Sequence, residues 1–164
     1  MGKSIKLQNN NYWDSKSIVH NQVVLQELLD KLSHENLIFA RKTNDQYIPK
    51  DVEQTIKYDQ LVSKIGTGMS FDGYGVTIES DDIKSVSVVG SFFNKGWGTI
   101  NGVLRIYKNS DMITSIFFGG ASHHQISAIF DVKKGDVISI RLTCSSGNTT
   151  INNSNYISFF SVKS

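Results

Sequence analysis

Residues 137–144 read Val-Ile-Ser-Ile-Arg-Leu-Thr-Cys, and they decide the fold class of this chain. Apolar Ile138, Ile140 and Leu142 alternate with polar side chains, which is the period of a β-strand with one face on a core and the other towards solvent. Residues 133–136, Lys-Lys-Gly-Asp, have the composition of a tight turn. The stretch therefore predicts one strand of an antiparallel sheet.

Similar strand signals recur at short intervals on both sides of this stretch, and a second tight turn is predicted at residues 108–111. This spacing favours a β-sandwich or barrel over alternating βαβ units. The composition agrees, with 18 Ile, 13 Gly, 13 Asn and a single Pro. Residues 42–51 resemble a linker more than any other segment does. The predicted strands are 37–41, 55–65, 76–79, 84–93, 102–107, 112–118, 125–132, 137–144 and 156–163.

Charge and hydropathy exclude several classes of function. The 17 basic and 15 acidic residues are scattered and form no basic stripe, so nucleic acid is not an expected partner. Since no apolar run approaches the roughly 20 residues that cross a bilayer, no membrane insertion is expected. The start of the chain lacks the apolar stretch of a secretory signal. The single cysteine, Cys144, allows no intramolecular disulfide and is expected to pack as a small apolar group.

Two segments precede the β-rich part, so the predicted organisation is 1–20, 21–35 and 36–164. Residues 1–20 suggest two short strands around an Asn-rich turn, a hairpin that is marginal alone and is therefore interpreted as a docking arm.

Residues 21–35 predict one short α-helix with an apolar stripe at Leu25, Leu28 and Leu32, extended by Val24 and Leu29. Two roles stay open for this helix. It packs on its own domain, or it is a short self-associating coil that sets the oligomeric state.

Three stretches resemble the C1q/TNF-like jelly rolls. Residues 131–142, Asp-Val-Lys-Lys-Gly-Asp-Val-Ile-Ser-Ile-Arg-Leu, are similar to a family strand with the pattern Leu-x-x-Gly-Asp-x-Val-x-Leu. Residues 102–109 resemble the family's Asn-containing hairpin, and residues 156–162, Tyr-Ile-Ser-Phe-Phe-Ser-Val, its closing aromatic strand. The resemblance implies a mostly β chain with an antiparallel jelly-roll β-sandwich over 36–164. It also implies a homotrimer, because such sandwiches commonly bury a sheet edge and face against two further copies.

The order of arm, leucine-striped helix and β head also resembles baseplate and tail-tip proteins of phages that infect Gram-positive bacteria. The motif is Tyr-Trp-Asp at residues 12–14, followed by Ile-Val-His-Asn at 18–21. This resemblance implies a virion protein that assembles in the host cytoplasm. It also implies that residues 1–20 dock on a baseplate or tail protein.

Signals for catalysis are weak, and no enzymatic activity or cofactor is expected. His123 and His124 are adjacent, and neighbours in a strand point to opposite faces, so the two do not easily bind one metal ion. The acidic pair Asp81-Asp82 has the composition of a solvated turn. The sequence contains no HExxH, GxSxG or P-loop motif.

Loop lengths point to a binding end. Alternate loops of consecutive antiparallel strands fall at opposite ends, which puts the wide loops 93–101, 118–124 and 145–155 together. Trp97 lies between two glycines there; it is interpreted either as a core or trimer-contact residue or as an exposed ring that stacks on sugar. The histidines are either solvated or subunit-contact residues, or they contact the ligand. The candidate ligand-binding residues are Trp97, His123, His124, Asn148, Asn152 and also Asn153.

These observations predict a phage receptor-binding protein, a trimeric head that binds a host cell-wall saccharide and gains avidity from its three sites. Two alternatives stay open. One is a structural baseplate or accessory virion subunit that binds no glycan. The other is a bacterial C1q/TNF-like module that binds a protein.

Overall fold

The structure is a computed structural model that describes residues 35–94, 100–120, 123–151 and 156–164. The chain divides into two compact units, Met1–Glu35 and Asn36–Ser164, and the second is described below. The predicted docking arm and Leu25, Leu28 and Leu32 of the predicted helix lie outside the described residues.

Every regular element of the described residues is a β-strand. The strands are β1 (Leu37–Arg41), β2 (Gln46–Ile48), β3 (Gln54–Thr55), β4 (Gln60–Ile65), β5 (Met69–Phe71), β6 (Gly75–Ile78), β7 (Ser85–Asn94), β8 (Gly102–Lys108), β9 (Asp111–Phe118), β10 (His123–Asp131), β11 (Val137–Cys144), β12 (Thr149–Ile151) and β13 (Tyr156–Lys163). The described part contains no helix that could cross a bilayer.

The strands form two antiparallel sheets and a short ribbon. The first sheet has the order β4-β1-β13-β7-β10, and the second has the order β5-β6-β11-β8-β9 with β3 added to β11. The ribbon pairs β2 with β12. Neighbouring strands are often distant in sequence, as β1 is from β13. Crossovers of this kind between two antiparallel sheets make a jelly roll, so the predicted sandwich is confirmed.

The core lies between the sheets and is built from the inward residues of each long strand. Val86 and Val88 of β7 are buried while Ser85 is exposed, and Ile140 and Leu142 of β11 have no exposed surface. The alternation predicted for residues 137–144 is thus confirmed, and β7 has the same pattern. The largest fully buried side chains are Tyr58, Phe92, Phe160, Ile38, Ile48, Ile56, Met69, Ile78, Leu104, Ile106, Ile126 and Ile138.

The single strand predicted over residues 55–65 is wrong. The chain forms β3 on the second sheet and β4 on the first, so it crosses between the sheets over residues 56–59. Tyr58 is buried in the crossing, with its ring 5.3 Å from that of Phe160. The Asp59 carboxylate accepts the backbone N–H groups of Thr43 at 2.6 Å and Asn44 at 2.8 Å. Apolar and polar residues do alternate here, but the buried side chains Ile56 and Tyr58 fill the core at a crossover and do not belong to one continuous strand.

Three short strands, β2, β5 and β12, were not predicted, and β2 lies in the segment that resembles a linker. Each has three residues, too few to display an alternation. Their pairing is long-range instead: Tyr47 of β2 is opposite Thr150 of β12. The linker interpretation of residues 42–51 is therefore wrong.

Candidate functional site

One end of the sandwich collects the three connections that the sequence predicts to be wide, although β10 begins at His123 and β12 lies within residues 145–155, so two of them have only four residues. Gly102, the first residue of β8, is opposite both Cys144, the last residue of β11, and Phe118, the last of β9. His123, the first residue of β10, pairs close to the end of β7. We call this the wide-loop end, and its position confirms the predicted clustering of loops. The connections that leave it are 95–101, 119–122 and 145–148.

Backbone groups of two of these connections are joined by hydrogen bonds. The carbonyl oxygen of Asn101 accepts from the Ser145 N–H at 2.8 Å and the Ser145 hydroxyl at 3.1 Å. The Asn101 N–H donates to the Ser146 hydroxyl at 3.1 Å. A side chain on Gly119 would place its Cβ 2.6 Å from Oδ1 of Asn101, so a third connection is closely packed here. The described base of the loops is therefore pre-organised.

The two adjacent histidines lie on opposite faces of β10. His123 is exposed on the outward face, and its Nε2 lies 2.6 Å from the Ser91 hydroxyl. His124 faces the other way, with its ring 5.8 Å from that of Phe118. The structure therefore does not bring the two rings together.

Of the remaining predicted ligand residues, Asn148 is described and is exposed at the wide-loop end. Its Oδ1 accepts the backbone N–H of Lys50 at 2.7 Å, and its amide nitrogen is a hydrogen-bond donor. Trp97 and Asn152 lie outside the described residues.

The ribbon of β2 and β12 lies beside the wide-loop end, because Lys50 bridges to Cys144 directly after β2. Its inner side chains, Ile48 and Ile151, are 0% and 1% exposed, whereas Tyr47 on the outer side is 58% exposed. Sequence reasoning missed this aromatic residue. The only signal was a tyrosine in a segment without strand alternation.

The opposite end carries the tight turns, which are confirmed at Asn109 and Gly135 by φ angles of 56° and 88°. Asn109 joins these turns: its amide donates to Asp136 at 2.9 Å and its Oδ1 accepts the Val137 N–H at 2.9 Å. Burial alone would raise the pKa of Asp136. Hydrogen bonds from Asn109 and from the Lys133 N–H outweigh burial, so the pKa is held below its usual range.

Both ends of the β-sandwich chain also lie at this tight-turn end. Leu37 opens β1 opposite Lys163, which closes β13. The N–H of Ser164 donates to the carbonyl of Asn36 at 3.0 Å, and the N–H of Asn36 donates to the Ser164 hydroxyl at 3.1 Å. The chain therefore enters and leaves the sandwich opposite the wide-loop end.

A charged cluster lies on the outward face of the second sheet. Glu53 lies 3.1 Å from Arg105 of β8 and 3.3 Å from Arg141 of β11. The Tyr107 hydroxyl donates to Glu53 at 3.1 Å, and the Arg141 guanidinium lies 3.9 Å from the centre of the Tyr107 ring. Burial and then the Glu53 carboxylate raise the pKa of Tyr107. The cluster holds the segment before β3 against the sheet.

The outward face of the first sheet carries apolar side chains among its serines. Ile129 of β10 is 79% exposed, and the register aligns Val89 of β7 with Phe39 of β1 in one row across β13. At the edge of the second sheet, Phe117 and Met112 of β9 are 85% and 53% exposed. Ile129, Phe117 and Met112 are thus large apolar side chains that the head leaves exposed.

The described residues offer no evident catalytic or metal centre. No group of three or more His, Cys, Asp or Glu side chains among them is placed to hold a metal ion. An open depression of about 370 Å³ lies at the tight-turn end, and its charged groups belong to the turn network above. Its lining residues are Lys108, Asn109, Asp111, Asp131, Val132, Lys133 and Asp136.

Solved structures share this strand arrangement. The globular domain of zebrafish complement 1qA is similar with a TM-score of 0.56 at 12% identity, covering 77% of this chain and 94% of that chain. The fold is a C1q/TNF-like jelly roll. Murine APRIL is similar with a TM-score of 0.54 at 11% identity, covering 77% and 98%.

A third similar structure is the vertex protein P5 of PRD1. It has a TM-score of 0.64 at 16% identity and covers 77% of this chain and 71% of that chain. None of the three names denotes an enzyme. No protein-family model matches the sequence, and no curated protein sequence matches it.

Proposed function

We propose that this chain is a phage receptor-binding protein, a virion component whose C1q/TNF-like head forms a homotrimer and binds a host cell-surface saccharide. The observation that carries the proposal is the polarity of the head. Asn36 and Ser164 meet at the tight-turn end, while the exposed polar residues Asn101, Ser146 and Asn148 lie at the wide-loop end. A head attached through its N-terminal segment presents such loops outward. Similarity to a virion vertex protein supports the location.

The homotrimer is supported by two apolar surfaces that differ from each other. One is the outward face of the first sheet with Val89 and Ile129, and the other is the β9 edge with Phe117. β9 has no Lys or Pro after Asp111, so the usual protection of an edge strand is missing. Two different patches on one chain pair head to tail, and a threefold rotation closes the ring.

Light scattering tests the assembly. The wild-type chain is expected at about three times 18 kDa, because each apolar surface is covered by a neighbouring copy. Ile129→Lys should give monomers, and Tyr74→Lys, which adds the same charge at a 47% exposed position between β5 and β6, at the edge of the second sheet opposite β9, should not. A wild-type monomer at micromolar concentration contradicts the trimer and the avidity that depends on it.

Trp97→Ala tests the saccharide site. If the ring stacks on sugar, binding to host cell walls falls while the melting temperature stays nearly unchanged. If the ring is buried, its removal costs about 3–5 kcal/mol and melting falls by many degrees. The second result contradicts a ligand role for Trp97. His123→Ala, His124→Ala and Asn152→Ala should weaken binding less.

Deletion of residues 1–20 tests the docking arm. The truncated head should stay folded, because residues 36–164 form a compact unit with its own hydrophobic core, yet it should no longer enter the particle. An insoluble truncated chain contradicts the arm. A trimer that enters the particle but binds no cell wall favours a structural baseplate or accessory subunit instead.

A further inference from the structure

We propose that Tyr47, on the outward side of the β2–β12 ribbon, is a stacking platform for an uncharged pyranose ring beside the wide-loop end. The inference rests on the proposed saccharide binding and assigns it a residue and a ligand class. The side chain is 58% exposed on a strand whose neighbouring side chain, Ile48, is fully buried. An exposed aromatic face with polar neighbours is the arrangement that receives the C–H face of a sugar.

The platform is held rigidly from below and from both sides. Ile48 and Ile151 anchor the two strands in the core. The Gln46 side chain donates to the Thr55 carbonyl at 2.8 Å and accepts the Lys57 N–H at 2.8 Å. Beyond β2, the Asp51 N–H donates to the Cys144 carbonyl at 2.8 Å. A fixed ring loses little conformational freedom when a ligand binds.

Polar residues that suit hydroxyls lie on the ribbon and directly beside it in the chain. Thr150 is directly opposite Tyr47 in the ladder, which places the two Cβ atoms about 5 Å apart. Asn148 has its amide nitrogen available as a donor, because its oxygen holds Lys50. The exposed Lys50 and Asp51 side chains lie 3.9 Å apart and balance each other in charge. This balance favours an uncharged sugar over an acidic one.

Tyr74 provides the contrast within the same chain. It is 47% exposed, close to the value for Tyr47, but it lies at the β5–β6 turn and its ring contacts the Lys57 ammonium at 5.6 Å. Among the described residues, the Tyr47 side chain has no hydrogen bond or ring contact of this kind. The two tyrosines therefore form a matched pair for substitution.

The test uses the full chain and soluble oligosaccharides of glucose, galactose, rhamnose or N-acetylglucosamine, with Kd measured by saturation-transfer NMR titration. Tyr47→Ala should weaken binding of the preferred sugar about threefold to tenfold. Tyr47→Phe keeps the ring and should stay within about twofold, and Tyr74→Ala should match wild type. All variants should melt close to the wild-type temperature, since the substituted groups are exposed.

Each other outcome counts against the platform in a distinguishable way. If wild type binds and Tyr47→Ala binds equally, the platform is overturned while saccharide binding stands. If Tyr47→Phe is as weak as Tyr47→Ala, the hydroxyl and not the ring makes the contact, and stacking is wrong. A large fall in melting temperature for Tyr47→Ala would show that the ring stabilises the fold, which contradicts an exposed platform. If wild type binds none of the sugars, both the proposed saccharide binding and the platform that rests on it are contradicted.

Discussion

Gly90 of β7 and Ile140 of β11 meet across the core at a distance that leaves no room for a side chain on the glycine. A Cβ atom at position 90 would lie 2.3 Å from Cδ1 of Ile140 and 3.0 Å from Cγ2 of Ile126. Interiors are close-packed, so the Ile140 side chain occupies the volume that a larger residue on β7 would need. The spacing of the two sheets at this point thus depends on the pair.

Gly90→Ala should lower the free energy of unfolding by about 1–3 kcal/mol through overpacking. Ile140→Val removes the Cδ1 atom and should cost about 0.5–1.5 kcal/mol alone. The double variant should lose less than the sum of the two, because the valine vacates the space that the alanine fills. Urea unfolding of all four proteins measures this coupling, and strictly additive losses would contradict the contact.

Glu53→Gln should lower the free energy of unfolding by about 1–3 kcal/mol, because two partly buried guanidinium groups lose their counter-charge. The side chains of Glu53, Arg105 and Arg141 are 30%, 23% and 29% exposed, so solvent screens them incompletely. Asp81→Asn is the control: Asp81 is 80% exposed and 3.9 Å from Lys134, and its loss should change stability by less than about 0.5 kcal/mol. Equal effects of the two substitutions would mean that the cluster contributes no more than a surface pair.

Acid should weaken the tight-turn end through Asp136. The pKa of this carboxyl is lower in the folded chain than in the unfolded chain, so its stabilising effect is present above the unfolded pKa of about 4 and is lost as the pH falls through the folded value. Asp136→Asn should therefore show a smaller decline in unfolding free energy between about pH 5 and pH 2 than wild type. Parallel declines would rule out Asp136 as a source of the acid sensitivity.

Cys144 should be inert in the folded protein. Burial raises the pKa of its thiol to about 11, so almost no thiolate is present at neutral pH. An aromatic disulfide reagent that releases a yellow thiolate should label the Cys144 thiol at pH 8 only after guanidinium is added. Fast labelling of the native protein would show that the end of β11 opens.

Much of the sandwich could be predicted because its long strands carry local signals. Val86 and Val88 alternate with serines along β7, and Asn109 and Gly135 mark turns that need positive φ. The crossover at residues 56–59 could not be predicted, since the side chains that bury there have the same alternation as a strand. What redirects the chain is Asp59, whose partners lie some fifteen residues earlier.

Less of the candidate site than of the sandwich could be predicted from the sequence. Loop length alone predicts that the wide connections cluster, because strand order fixes which loops share an end. The outward position of Tyr47 depends on its pairing with Thr150, about a hundred residues later, and three-residue strands carry no local pattern. The leucine stripe and Trp97 stay predictions, since they lie outside the described residues.

The hydrogen-bonded meeting of Asn36 and Ser164 has a practical consequence for protein engineering. Because these residues are adjacent, a short peptide can join them, and the head can then be opened elsewhere as a circular permutant. A new opening after Gly147, where an added Cβ meets nothing within 4 Å, would carry a fused enzyme or fluorophore at the wide-loop end. A fusion at Ser164 would instead leave every wide loop unobstructed. The same head can therefore carry a fused protein at the wide-loop end or at the tight-turn end.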